Sequence, residues 1–223
     1  MEWIILMWIR RSFAVVALCC FQFAGSLAWA SPQHTSPEST ILVLGDSLSA
    51  EYGLRRGSGW VSVIEQRLSE QNPTYQIHNS SISGDTTSGG LSRLPAALEQ
   101  YQPGIVIIEL GANDALRGLS LSMTEKNLAD MIELSQQANA RVLLLGMQIP
   151  PNYGRKYTEQ FQNLYPMLAE RHNTQLTPFL LDGIAADRSR FQADGIHPNE
   201  EAQSVLAENV WEQLAPMLQA HGK

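Results

Sequence analysis

The sequence predicts a three-layer α/β/α sandwich built on a central parallel sheet, and two observations carry that prediction. Short β-branched runs alternate with longer stretches whose apolar residues recur at helical spacing. The short runs are apolar throughout rather than on every second residue, so these strands are buried on both faces, as in a sheet covered by helices. A third observation concerns placement. The polar signatures Gly45-Asp46-Ser47-Leu48, Ser83-Gly84-Asp85 and Gly111-Ala112-Asn113-Asp114 each stand where a strand ends. In open parallel sheets, ligands bind beyond the carboxyl ends of the strands.

Taken in order, Ile41–Leu44 reads as a fully buried strand and Trp60–Leu68 as the helix that follows. Gln76–Asn79 is a shorter strand, Leu91–Tyr101 a helix, and Ile105–Leu110 the clearest buried strand. Thr124–Ala138 is helical and leads into the strand Arg141–Gly146. Tyr157–His172 is a helix and Gln175–Thr177 a weak last strand. Asn199–Leu218 closes the chain as an amphipathic helix, with Ala202, Val205, Leu206, Val210 and Leu214 on one stripe. There is no internal repeat, low-complexity tract or linker to a second domain, so residues 40–223 are expected to form a single domain.

The first 30 residues are set apart as a signal peptide. Arg10 and Arg11 flank an almost wholly apolar stretch from Ser12 to Ala24, and Ala28-Trp29-Ala30 offers small residues two apart for cleavage after Ala30. The apolar part is too short for a comfortable bilayer span, so no stable membrane span is expected. Ser31–Ser39, with two prolines, reads as a flexible lead-in. Both cysteines of the chain, Cys19 and Cys20, lie in the leader, so the mature domain rests on core packing without disulfides. The formal net charge of −7 argues against nucleic acid as a partner.

The polar signatures contain the parts of a hydrolytic site. A serine hydroxyl is a weak nucleophile until a base takes its proton. Ser47 leaves the first strand, and His197 in Asp194-Gly195-Ile196-His197-Pro198 has a carboxylate three residues back to orient its ring. A tetrahedral oxyanion needs preorganised donors. Ser47 N–H, the unhindered Gly84 N–H and the Asn113 amide supply them. Each residue also has a plainer reading: Ser47 as a helix cap, Gly84 as a turn glycine and Asn113-Asp114 as a turn pair. Asp46 reads as bracing the turn, with Asp182 and Asp187 as substitutes for Asp194. No third ligand stands near the Asp194/His197 pair, so no metal is expected. Leu116, Leu119, Pro150, Pro151 and Tyr153 are apolar loop residues beyond strand ends and are candidates for lining an acyl channel.

In this order, Ser47, Gly84, Asn113 and His197 resemble the four blocks that name the SGNH (GDSL) hydrolase superfamily, over essentially the whole mature chain. Gly45–Ala50, Asn79–Thr86, Arg93-Leu94-Pro95, Pro151–Arg155 and Asp194–Asn199 are similar to its bacterial multifunctional esterases, which act as thioesterase, protease and lysophospholipase. The resemblance implies a flavodoxin-like sheet of about five strands, with Ser47 as nucleophile, His197 as base and Asp194 as its orienter. It implies an oxyanion hole of Ser47 N–H, Gly84 N–H and the Asn113 side chain, with no metal or organic cofactor. It further implies a periplasmic or secreted enzyme acting on carboxylic esters with medium to long acyl chains, and a loop at Ala115–Ser120 that sets chain preference. The substrate would be a small acyl ester or lipid, and a monomer is expected. A carbohydrate O-acetyl esterase and a lipid-binding non-enzyme on the same fold are the alternatives. One departure is Glu51, beside the nucleophile turn where such relatives commonly carry a small residue. Facing the crevice, its carboxylate would repel acidic head groups; facing water, it would be neutral to function.

Overall fold

The computed structural model describes residues 39–218. The signal-peptide expectation, and all of the lead-in except Ser39, lie outside the described residues. Five strands form one sheet: β1 (Thr40–Gly45), β2 (Gln76–Asn79), β3 (Ile105–Glu109), β4 (Arg141–Leu145) and β5 (Gln175–Thr177), all parallel and ordered 2-1-3-4-5. This is the flavodoxin-like order. The register sets Ile41 between Ile77 and Ile105, and Ile105 beside Arg141.

The helices are α1 (Trp60–Gln71), α2 (Thr87–Tyr101), the short α3 (Ala112–Leu116), α4 (Leu121–Gln137), α5 (Arg155–His172) and α6 (Gln203–Leu218). The crossover from β1 to β2 runs opposite to all later ones. Right-handed connections therefore put α1 on one face and α2, α4 and α5 on the other. Accordingly α1 packs on α6, α2 on α4, and α4 on α5. The core lies on both sides of the sheet, where Ile41–Leu44 and Ile105–Ile108 have no exposed surface, and Trp60 and Phe161 are fully buried above and below them. Each such side chain contributes about 1.5–3 kcal/mol relative to remaining in water. The order in which strands are added reverses between β1 and β3, which places the topological switch point between the loops after Gly45 and Glu109.

Two boundaries differ from the sequence expectation for physical reasons. Helix α2 starts at Thr87, not Leu91, and takes Ser88-Gly89-Gly90 into its first turn. Glycine costs a helix about 1 kcal/mol, but close packing requires it here: a Cβ at Gly90 would sit 2.2 Å from Leu110 Cδ1. Thr86 caps the helix, and Asp114 accepts both the Thr87 N–H (2.9 Å) and its hydroxyl (2.5 Å). At the other end of the chain Asn199 caps a 3₁₀ turn, Glu200–Ala202, and the α-helix proper begins at Gln203 rather than Asn199.

Gly146, just past β4, has no room for a side chain. A Cβ would lie 2.2 Å from the Pro178 carbonyl oxygen, a backbone atom that cannot swing aside. The same segment is fixed by Gly146 N–H to Thr177 O (2.8 Å) and Leu180 N–H to Gly146 O (2.9 Å). Gly146→Ala is expected to destabilise the fold by about 2–3 kcal/mol. Thermal unfolding followed by circular dichroism should show a Tm roughly 5–10 °C lower; an unchanged Tm would refute the steric argument.

Candidate active site

At the exit of β1 the chain turns sharply, and Asp46 holds the turn from inside. Its Oδ1 accepts the Leu48 N–H (3.0 Å), and its backbone oxygen accepts the Ala50 N–H (3.0 Å), which leaves Ser47 on the crest. Gly45 must be glycine because its Cβ would lie 2.7 Å from both Glu109 Oε2 and Ser49 Oγ. Asn79 Nδ2 donates to Ser49 O (2.7 Å) and ties the turn to the end of β2.

The connection from β5 to α6 brings the base to this crest. Gln192 N–H donates to His197 O (2.8 Å), and Asn199 N–H to Arg190 O (2.8 Å), making a tight hairpin. Gly195 at its tip has φ +70, a left-handed backbone that glycine adopts without strain. Asp194 and His197 consequently face the same way. His197 Nδ1 lies 2.7 Å from Asp194 Oδ2, and His197 Nε2 lies 3.0 Å from Ser47 Oγ. The other Asp194 oxygen accepts the N–H groups of Ile196 (2.9 Å) and His197 (3.0 Å). Burial works to raise the Asp194 pKa, but those two N–H bonds and the imidazole outweigh it and hold it at about 2. The carboxylate is therefore ionised throughout the working pH range.

Opposite the serine, three donors converge. Neither Ser47 N–H nor Gly84 N–H has an acceptor among the described residues. Both residues are partly open to solvent, so these N–H groups are free to donate to a ligand oxygen. Gly84 has φ +79, and Arg117 Nη2 donates to its carbonyl (2.8 Å), which fixes the peptide. Asn113 Nδ2 donates one hydrogen to Asp46 Oδ2 (2.8 Å) and keeps a second for the crevice. The loops are also bound to one another. Asp114 joins α3 to the start of α2. Arg93 joins the Asp85 carboxylate (2.8 Å), the Ser80 carbonyl and the Gly45 carbonyl (3.2 Å).

The structure thus brings Ser47, Gly84, Asn113, Asp194 and His197 to one edge of the sheet. Asp187 instead accepts the Ser189 N–H and hydroxyl in its own turn. Leu119 and Tyr153 are exposed on loops beyond β3 and β4, as is Pro151. Leu116, at the end of α3, is half-buried and packs against the hydrophobic core. The structure also gives the Glu51 carboxylate its partners. Its backbone has φ +57, which turns the side chain back onto its own loop. There its carboxylate accepts the N–H groups of Gly57 (2.9 Å) and Gly59 (2.7 Å) and the Ser62 hydroxyl (3.1 Å). The carboxylate thereby ties the loop to the start of α1.

Sequence reasoning passed over several contributors. Tyr52 lies against His197 with ring centroids 4.5 Å apart. Gln192 Nε2 bridges Tyr52 O (2.8 Å) and Pro198 O (3.1 Å), clipping the nucleophile loop to the histidine loop. Glu109 lies beneath the nucleophile turn, and a lone acid at the end of an apolar run is the signal that could have found it. Of the exposed large apolar residues, Tyr52, Ile82, Leu119, Tyr153 and Ile196 sit on connections leaving the carboxyl ends of the strands, and Met123 lies in the first turn of α4. A cavity of about 510 Å³ lies elsewhere, at the opposite edge of the sheet, lined by Asn139, Arg141, Asn173 and Thr174 among others. None of the converging donors reaches it. Among the described residues no group of three or more His, Cys, Asp or Glu side chains is arranged to hold a metal ion.

Comparison with known proteins agrees with this geometry. Residues 43–205 match the GDSL-like Lipase/Acylhydrolase family. The chain is 46% identical over 195 residues to Esterase TesA of Pseudomonas aeruginosa, covering 87% of this chain and 97% of that one. It is 41% identical over 179 residues to Thioesterase 1/protease 1/lysophospholipase L1 of Escherichia coli K12, covering 80% and 85%. A crystal structure of TesA superposes with a TM-score of 0.78 at 48% identity, covering 80% of this chain and 99% of that one. By family match, by similarity and by fold, the chain belongs to the GDSL-like lipase/acylhydrolase (SGNH) family.

Proposed function

We propose that this carboxylic ester hydrolase works through an acyl-enzyme on Ser47 and prefers esters with medium to long apolar acyl chains, as a periplasmic or secreted protein. The observation that carries the reading is the unbroken line Asp194–His197–Ser47, at 2.7 and 3.0 Å, facing two N–H groups without acceptors. As Ser47 Oγ attacks the carbonyl carbon, its proton passes to His197 Nε2, and Asp194 stabilises the imidazolium. The carbonyl electron pair moves onto oxygen, where Ser47 N–H, Gly84 N–H and Asn113 Nδ2 receive it. Collapse expels the alcohol or thiol, which takes the proton from His197. Water then repeats the sequence on the acyl-serine and releases the acid.

Chain preference follows from the rim. Apolar side chains exposed on every loop around the crevice, with Leu119 and Tyr153 among them, offer an acyl chain a surface to leave water against. The names of the relatives, esterase and thioesterase/lysophospholipase, support carboxylic esters, lysophospholipids and acyl thioesters as substrates. Export rests on the basic-then-apolar leader before Ala30. The test is hydrolysis by purified residues 31–223 of p-nitrophenyl esters of increasing chain length, beside a lysophospholipid and an acyl-CoA. A fluorophosphonate probe, read by peptide mass spectrometry, should label Ser47. Rates rising from acetyl to octanoyl or longer are expected; a maximum at acetyl, or an unlabelled Ser47, would overturn the proposal.

A further inference from the structure

Glu109 ends β3 with no exposed surface, directly below the nucleophile turn and next to a second buried carboxyl, Asp46. Two carboxyl groups out of water are costly, and an apolar residue would fill the space more cheaply. Contacts explain the choice. Glu109 Oε2 accepts the Asp46 N–H (3.1 Å) and the Ser49 hydroxyl (2.7 Å), one on each side of Ser47. Asp46 then spends its own carboxylate on the Leu48 N–H and on Asn113 Nδ2. One continuous path therefore runs from the floor of the site to both the crest that carries the serine and the amide that faces it.

We propose that Glu109 is a positioning residue for ester hydrolysis, a buried carboxyl that sets, through Asp46, the height of Ser47 and the direction of the Asn113 amide. Its catalytic weight rests on the roles given above to Ser47 and Asn113. Glu109 Oε1 has no hydrogen-bond partner and no contact with solvent, so nothing around that oxygen favours a charge on it. Burial first, and the neighbouring Asp46 charge second, push Glu109 well above the carboxylate range. Burial also raises Asp46, to about 6, against the pull of the Leu48 N–H and the Asn113 amide. Other groups face the pair from the surrounding elements: Tyr165 of α5, whose hydroxyl donates to Leu110 O (3.0 Å), Asp114 of α3, His197, and Arg93 of α2 on the Gly45 carbonyl. With a raised pKa the neutral form holds at low pH and is lost as pH rises. The network therefore loosens on the alkaline side.

The experiment compares variants of the full chain. Glu109→Gln keeps an acceptor for the Asp46 N–H and the Ser49 hydroxyl and cannot ionise. It should retain kcat within about threefold and lose less of it at alkaline pH than the parent. Glu109→Leu has similar bulk and no acceptor, and should lower kcat roughly 10- to 100-fold with KM within about twofold. In an Asn113→Ala background the same change should cost several-fold less than it does in the parent, because the part of its effect that travels through that amide is already gone. A readout independent of turnover is the ¹⁵N-labelled side-chain amide of Asn113, slow to exchange in the parent and in Glu109→Gln, fast in Glu109→Leu. If Glu109→Leu does not fold, Asp46→Asn cuts the same path higher up by setting two amide donors face to face. It should lower kcat at least about tenfold. Parent-like kcat with an unchanged Asn113 amide, full additivity with Asn113→Ala, or a Gln variant as impaired as Leu would overturn the proposal. A parent that hydrolyses no ester, with the Asn113 amide still responding as expected, would instead count against the reading of Ser47.

Discussion

Ser47→Ala lowers kcat for a p-nitrophenyl ester by on the order of 10⁴–10⁶ and leaves the fold intact. The change removes one oxygen from a partly exposed turn whose shape depends on Asp46, Ser49 and Ala50 instead, so Tm should hardly move. Covalent chemistry is lost entirely, since no other hydroxyl is shown within reach of His197 Nε2. What remains is the catalysis of a polarised carbonyl and bound water, still well above the uncatalysed rate. A variant that turns over at the parent rate would remove Ser47 from the mechanism. The acid side of the parent profile is also constrained. Asp194, at about pKa 2, stays ionised well below the pH at which ester hydrolases are assayed, so inactivation at mildly acidic pH does not arise from it.

Asn113→Ala should cost about 10²–10³ in kcat, close to 3–4 kcal/mol of transition-state stabilisation, with KM changed little. The reason for the split is geometric. The amide contributes its free hydrogen only as charge builds on the substrate oxygen, while its other hydrogen is held by Asp46 at 2.8 Å in every state. Two N–H groups, on Ser47 and Gly84, remain in the variant and keep the reaction from stopping. Steady-state kinetics on the ester of best chain length decides it. A rise in KM at constant kcat would mean that Asn113 holds the ground state and not the oxyanion.

Much of this could be read in the chain before any coordinates. The strands were legible because runs such as Ile41–Leu44 and Ile105–Ile108 are apolar on both faces and fit a covered sheet far better than a surface helix. The five polar residues of the site were legible because each stands at a strand exit or in a short loop with glycine beside it. Their convergence on one edge follows from parallel topology. What sequence did not give was direction. Leu116 and Leu119 are alike as letters, yet one packs inward at the end of α3 and the other lies open beyond it. The start of α2 was hidden because paired glycines argue against a helix until Leu110 is seen filling the space beside Gly90. Glu109 was hidden for the opposite reason: a single acid closing an apolar run looks like the end of a strand, and its partners are 60 and 63 residues away in sequence.

Glu51 carries a different kind of consequence. An L-residue at φ +57 gives up backbone ease that glycine would have had, and the three hydrogen bonds from its carboxylate offset that loss. The comparison changes once the unfolded chain is counted. Glycine there would roam more widely before folding and would have more freedom to surrender, whereas glutamate arrives already restricted. The segment from Glu51 to Gly59 is thus a closed ring, fastened by its own first residue. In such a ring, resistance to heat and the shape of the approach to the serine are set by the same side chain.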